Sequence, residues 1–208
     1  MAKLTKPKCR VCRRLGVKLF LKGERCYSRK CALERKFSPP GVQGMRRKAK
    51  PSDYAIHLWE KQKLRKIYGV MERQFKLYFE RANAQRKIPT GEKLLELLER
   101  RLDNVIFRGG LAISRSSARQ LVNHGHVKVN GKTVNIPSYE VKPGDVIELK
   151  SKARNIPQVI QALETRPFVP SWLSTDFENL RIVVNSIPTR DQIDTPIKEE
   201  LVVEFYSK

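Results

Sequence analysis

Between Ser52 and Arg108 apolar residues recur every three to four positions, whereas beyond Gly125 they alternate with polar ones, so helices are expected first and strands afterwards. Ser52 is expected to cap a helix carrying Tyr54, Leu58, Trp59 and Leu64 and ending near Gly69. The next segment sets Met71, Phe75, Tyr78, Phe79 and Ala82 at spacings of three and four, an apolar stripe whose rings read as core rather than as stacking platforms. After a break at Thr90-Gly91, Leu94, Leu95, Leu98 and Leu102 share one side of a further helical segment, leaving Arg100, Arg101 and Arg108 off it.

The clearest succession of signals follows. Ser114 reads as the N-cap of a helix with Leu121 and Val122 on its apolar side, Arg115 and Arg119 on one face, and Gly125 as its C-cap. Val127 and Val129 then alternate with polar residues, Asn130-Gly131 supplies the two positive-φ positions of a type I′ turn, and Val134 and Ile136 resume the alternation. Pro143-Gly144-Asp145 marks another turn before a strand over 146–149. Farther on, 155–166 is expected to form a short helix stopped by prolines, Trp172 and Leu173 to anchor the segment, and 181–187 and 201–206 to be β-rich.

Charge changes this picture from a generic α+β chain to a polyanion binder. The formal net charge is +22 over 208 residues, and residues 1–50 alone hold 17 Lys and Arg against 2 acids. Self-repulsion of that size favours a partner that neutralises it, and nucleic acid fits best. No apolar run reaches membrane-spanning length and no signal-peptide core is present, so a cytoplasmic location without membrane or small-molecule substrate is expected. Arg101, Arg108, Arg115, Arg119, Lys128 and Lys132, interspersed with Ser114, Gln120 and Asn130, suit phosphate oxygens and base edges. His124 and His126 at the helix end can approach phosphate without any catalytic role. Lys61, Lys63, Arg65 and Lys66 make a second candidate RNA surface on the first long helix.

All four cysteines lie early, as Cys9-x2-Cys12 and Cys26-x4-Cys31. Two close pairs separated by a loop suit tetrahedral zinc, with an iron–sulfur cluster or two disulfides as the alternatives. Arg10, Arg13 and Arg14 among the surrounding cations are expected to favour thiolates and to meet RNA. Beyond them, Pro39-Pro40-Gly41 and Gly44 forbid a regular element, and Arg46, Arg47, Lys48 and Lys50 make the stretch an extended basic loop, either linker or phosphate-ordered.

RLDN, SRSSARQLVNHGHVKVNGK and the PGD turn resemble the RNA-binding module named after the fourth small-subunit ribosomal protein. That resemblance implies RNA docked on helix and hairpin, with Arg101, Arg115, Arg119, Gln120, His124 and Lys128 at matching positions. CYSRKCALERK, PPGVQG, PSDYAIHLWEKQKLRKIYGVMERQF and ELVVEFYSK extend it over almost the whole chain, to the bacterial ribosomal family itself in its metal-binding form. The family implies direct, early binding to the 16S rRNA 5′ domain, nucleation of assembly, contact with the fifth small-subunit protein, an influence on decoding accuracy, and a basic surface where mRNA enters, for which Arg46, Arg47 and Lys50 are the candidates. It also implies that the C-terminal tail returns toward the N-terminal helices. Binding to its own mRNA as a translational autorepressor is the alternative role.

No phosphate loop, dinucleotide fingerprint or nucleophile elbow is present, and Asp103, between arginines, reads as an ion-pair partner rather than a catalytic acid. No enzyme is expected. The expected architecture is α+β, with a four-cysteine metal-binding basic segment (1–45), a helical domain (46–98), a small α/β RNA-binding module of helices followed by a β-hairpin (99–154) and a C-terminal segment (155–208).

Overall fold

The computed structural model describes residues 7–41, 50–85, 87–165 and 168–207. The chain forms two compact units, one from residues 1–91 with 195–208 and the other from 92–194.

In the first unit, helix α1 (Lys8–Leu15) ends at Gly16, whose φ of +70° suits a residue without Cβ. A 3-10 turn (Gly23–Cys26) and the single-turn helix α2 (Ala32–Arg35) follow. Helix α3 (Asp53–Ile67) starts where Ser52 Oγ accepts from the Ala55 N–H, as expected, and Gly69 at φ +67° closes it. Its buried face, however, is His57, Glu60, Lys61, Leu64 and Ile67; of the four residues expected to be apolar core only Leu64 is fully buried, while Tyr54 and Trp59 are exposed. Helix α4 (Glu72–Asn83) buries Phe75, Tyr78, Phe79 and Ala82, the stripe read from the sequence.

The tail departs from its β-rich reading. Residues 199–207 form helix α9 (Glu199–Ser207), which packs on α3, buries Val202 and stacks Tyr206 on Phe79 with ring centroids 4.6 Å apart. Strand alternation in Leu201–Tyr206 was a coincidence of sequence, because Val202, Phe205 and Tyr206 also share a helical face. Glu72 ties the three helices together. It accepts from Lys61 Nζ at 2.7 Å and from Tyr206 Oη at 2.9 Å, and pairs with Arg65 at 3.0 Å. Burial opposes ionisation of Glu72, but those hydrogen bonds and the two cations outweigh it and hold the carboxyl below its ordinary value; burial and then Glu72 itself push the Tyr206 phenol up. The carboxylate's contribution to stability is therefore complete above the ordinary value of 4.5 and is lost as pH falls through that value toward the lower folded one. Glu72→Gln is expected to cost about 1–2 kcal/mol at neutral pH, less than the about 3–5 kcal/mol of a fully buried pair because the carboxylate is half in water. Thermal denaturation of both proteins checks this: the gap must close in acid.

In the second unit, helices α5 (Thr90–Glu99), whose first two residues belong to the first unit, and α6 (Leu102–Arg108) replace the continuous segment expected there. Thr90 opens α5 rather than breaking it, and the interruption falls at Arg100-Arg101, where Arg101 forms a bridge with Glu140. Helix α7 (Arg115–Asn123) packs on α6, and strands β1 (Val127–Val129), β2 (Lys132–Thr133), β3 (Val146–Leu149), β4 (Leu173–Asp176) and β5 (Arg181–Val184) form one antiparallel sheet in the order β2-β1-β3-β5-β4. The register places Val127 opposite Leu149 and Ile147 opposite Ile182, so alternate side chains enter a core with Leu102, Ile106, Leu121 and Val122. Helix α8 (Pro157–Thr165) adds Val159 to it, and Trp172, at 1% exposure, is the anchor expected. Two expectations fall short: β2 is only two residues, leaving Ile136 outside it and exposed, and β5 stops at Val184. The sheet is also wider than the expected hairpin, since residues after 154 supply two of its strands.

Candidate nucleic-acid interface and cysteine segment

Helix α7 and its hairpin follow from local chemistry. Ser114, itself buried, accepts from the Ser117 N–H at 3.3 Å, so its hydroxyl serves the helix. At the other end the N–H groups of Gly125 and His126 donate to the carbonyls of Val122 and Leu121, the paired closure that a left-handed Gly125 permits. Asn130 and Gly131, at φ 49° and 77°, make the expected turn. Asn130 is not free to read a base: its Nδ2 donates to Asp145 at 2.9 Å and its Oδ1 accepts from the Val146 N–H at 2.9 Å, locking the hairpin to β3.

The arginines sort by burial in a way that the sequence conceals. Arg101, at 2% exposure, makes two hydrogen bonds to Asp103, and Arg119 reaches the same carboxylate at 3.4 Å. Asp103 is thus the ion-pair partner expected, but Arg101 departs from the surface position expected of an RNA ligand. Arg108 is forked onto Glu99 and also pairs with Asp194. Arg115 donates to Asn104 Oδ1 at 2.7 Å and lies 4.5 Å over the Phe107 ring. Both α7 arginines are half-buried and turned toward α6.

What reaches solvent is the far end of the helix and the hairpin. Gln120, Asn123, His124 and Lys132 are exposed, Lys128 and His126 half-buried, and the rings of His124 and His126 lie 6.2 Å apart. The sequence reading missed Lys150 and Lys152. The Lys150 N–H donates to the His126 carbonyl at 2.9 Å, so this turn continues the same edge, and the β1–β3 register is the signal that brings it there. None of its lysines and histidines needs to give up a buried ion pair to meet phosphate.

The first unit supplies the other cations. Arg10, Arg14 and Lys50 are exposed, whereas Arg13 donates to the carbonyls of Ser38 and Pro39. On α3, Lys61 and Arg65 are paired with Glu72 and Lys63 with Glu60, so much of that basic face is internally compensated; Lys66 is half-buried. Arg46, Arg47 and Lys48 lie outside the described residues.

The four cysteines carry no disulfide and line one cavity of about 20 Å³. The Lys22 N–H donates to Cys26 Sγ at 3.4 Å. Yet among the described residues no three Cys, His, Asp or Glu are gathered closely enough to hold a metal ion. Burial pushes the Cys12 thiol up, the Leu19 N–H opposes this, and the other three cysteines add to it, contrary to the lowering expected from the basic surroundings. Four sulfurs that repel one another as thiolates are a fitting donor set for a cation.

Residues 3–99 match the model of the ribosomal protein S4/S9 N-terminal domain, and residues 100–147 that of the S4 domain. The chain belongs to the uS4 family of ribosomal proteins. Small ribosomal subunit protein uS4 of Caldicellulosiruptor saccharolyticus is 56% identical to it, uS4A of Symbiobacterium thermophilum 54%, and uS4 of Thermus thermophilus 52%, each over the whole of both chains. The uS4 S4 domain begins within the arginine network and takes in α7, the hairpin and most of β3, while the uS4 N-terminal domain takes in the cysteines, α3 and α4. The uS4 family is one of ribosomal proteins and not of enzymes, in keeping with acids committed to ion pairs. Among the described residues no helix is long and apolar enough to cross a membrane.

Proposed function

We propose that this chain is a structural, rRNA-binding constituent of the cytoplasmic small ribosomal subunit that docks on the 5′ domain of 16S rRNA and helps to nucleate its assembly. The observation that carries this reading is the continuous edge of Gln120, His124, His126, Lys128, Lys132 and Lys150 in an S4 domain. Phosphate contacts supply the affinity, and the fixed spacing of helix and hairpin selects RNA shape. Arg115 and Arg119 act from behind this edge, fixing α7 on α6. Lys50, with Arg46 and Arg47, would face mRNA where it enters the subunit, and the fifth small-subunit protein is the expected neighbour; effects on decoding accuracy would follow from that position. The test is binding to a transcript of the 5′ domain with bulk tRNA in excess. A complex that survives tRNA supports a specific ribosomal role; complete displacement by tRNA overturns it.

Cys9, Cys12, Cys26 and Cys31 would hold one zinc ion, whose chemistry there is structural: it joins α1, the 3-10 turn and α2, pieces too short and too charged to fold alone. Four thiolates lining one cavity, with an N–H directed at Cys26, support this. Cys26→Ser with Cys31→Ser is expected to abolish an equimolar zinc content and to expose residues 7–41 to protease. Unchanged protease resistance would count against a structural metal.

A further inference from the structure

The face of α3 that the sequence assigns to the core does not enter it. Leu58 and Trp59, the latter 45% exposed, instead form one wall of an open cleft of about 730 Å³, whose opposite wall is Val11 and Leu15 of α1. Arg10, Arg14, Arg65 and Lys66 also line it, and no carboxylate does. A cleft of this size holds a nucleotide-sized ligand, since small-molecule sites run to about 300–1,000 Å³. Its chemistry is equally selective. An exposed indole beside aliphatic side chains favours a flat, apolar-faced group, and cations without acids favour one that carries negative charge. Arg65 donates to Gln62 Oε1 at 2.8 Å, leaving the Gln62 amide N–H groups to meet an acceptor on the group's edge.

We propose that this cleft captures a single unstacked nucleotide of the ribosomal RNA, its base against the Trp59 indole and its flanking phosphates at Arg10 and Arg14. The inference rests on the rRNA-binding reading above and makes it more definite: the first unit reads an unpaired base in addition to the RNA edge of the second. Stacking of this kind tolerates any base, so the position captured is set by where the RNA fold leaves a nucleotide unpaired.

The full chain has two tryptophans, Trp59 on the cleft and Trp172 buried in the second unit, so emission separates them. Titration with the 5′-domain transcript is expected to quench Trp59, and Trp59→Phe identifies the quench by removing it. Trp59→Ala is expected to weaken binding about tenfold with an unchanged dependence on salt, because stacking displaces no counterions. Arg10→Ala with Arg14→Ala lowers that dependence by about two in log–log slope. Full-affinity binding that leaves Trp59 emission unaltered overturns the proposal and assigns the cleft to an apolar segment of a neighbouring protein. A transcript that fails to bind at all overturns the rRNA-binding reading itself.

Discussion

Raising monovalent salt from about 50 to about 200 mM is expected to weaken binding to the 16S rRNA 5′ domain by about three to five decades, the loss that accompanies about six to ten neutralised phosphates. The formal charge of +22 greatly overstates the cations available. Arg101, Arg108, Lys61 and Lys63 are paired with the chain's own acids and release no counterions on binding. Exposed Arg10, Arg14, Lys50, Lys132 and Lys152, with half-buried Lys128 and Lys150, supply a number of the right size. The check is a log–log plot of the binding constant against salt. A slope near that for all 43 basic residues is physically excluded by these pairings, and a slope near one or two would mean that the edge described is not the docking surface.

Replacing Asp103 by Ala is expected to destabilise the second unit by about 3–5 kcal/mol, enough to threaten its folding. The carboxylate is 3% exposed and answers Arg101, at 2%, so its removal strands a guanidinium in the interior while also releasing Arg119. Arginine cannot escape by losing its proton. Urea denaturation followed by the emission of Trp172, which lies in this unit's core, measures the loss. Replacing Arg101 and Asp103 together by Met and Leu is expected to recover much of it, because an apolar pair carries no desolvation penalty. A loss below about 1 kcal/mol for the single substitution would mean that water reaches the pair.

The parts of the fold legible in the sequence are those fixed by neighbours along the chain. Ser114, Gly125 and Asn130-Gly131 each act on backbone within three or four residues, and the structure keeps every one. The misread parts depend on distant partners. Leu201–Tyr206 has strand-forming residues but becomes helix through packing of α9 on α3 and of Tyr206 on Phe79, more than a hundred residues away. The buried face of α3 is concealed because Lys61 enters the interior with Glu72 and with the rings of Phe205 and Tyr206, the nearer ring centroid lying 4.3 Å from its ammonium. The candidate site divides likewise. That this region is rich in cations is plain, but which arginines face solvent was decided by Glu99, Asp103 and Asn104, residues whose geometry no spacing rule exposes.

Residues 195–208 complete a body begun by residues 1–91, with all of 92–194 intervening in the chain. A nascent polypeptide therefore finishes its inner body first and holds its outer one open until α9 has been synthesised. During that interval α3 lacks the helix that covers it, and the rings of Phe75 and Phe79 lack Tyr206. Translation that stops early leaves a product whose RNA-binding edge is whole but whose first body is unsealed, marking it for proteolysis rather than for incorporation.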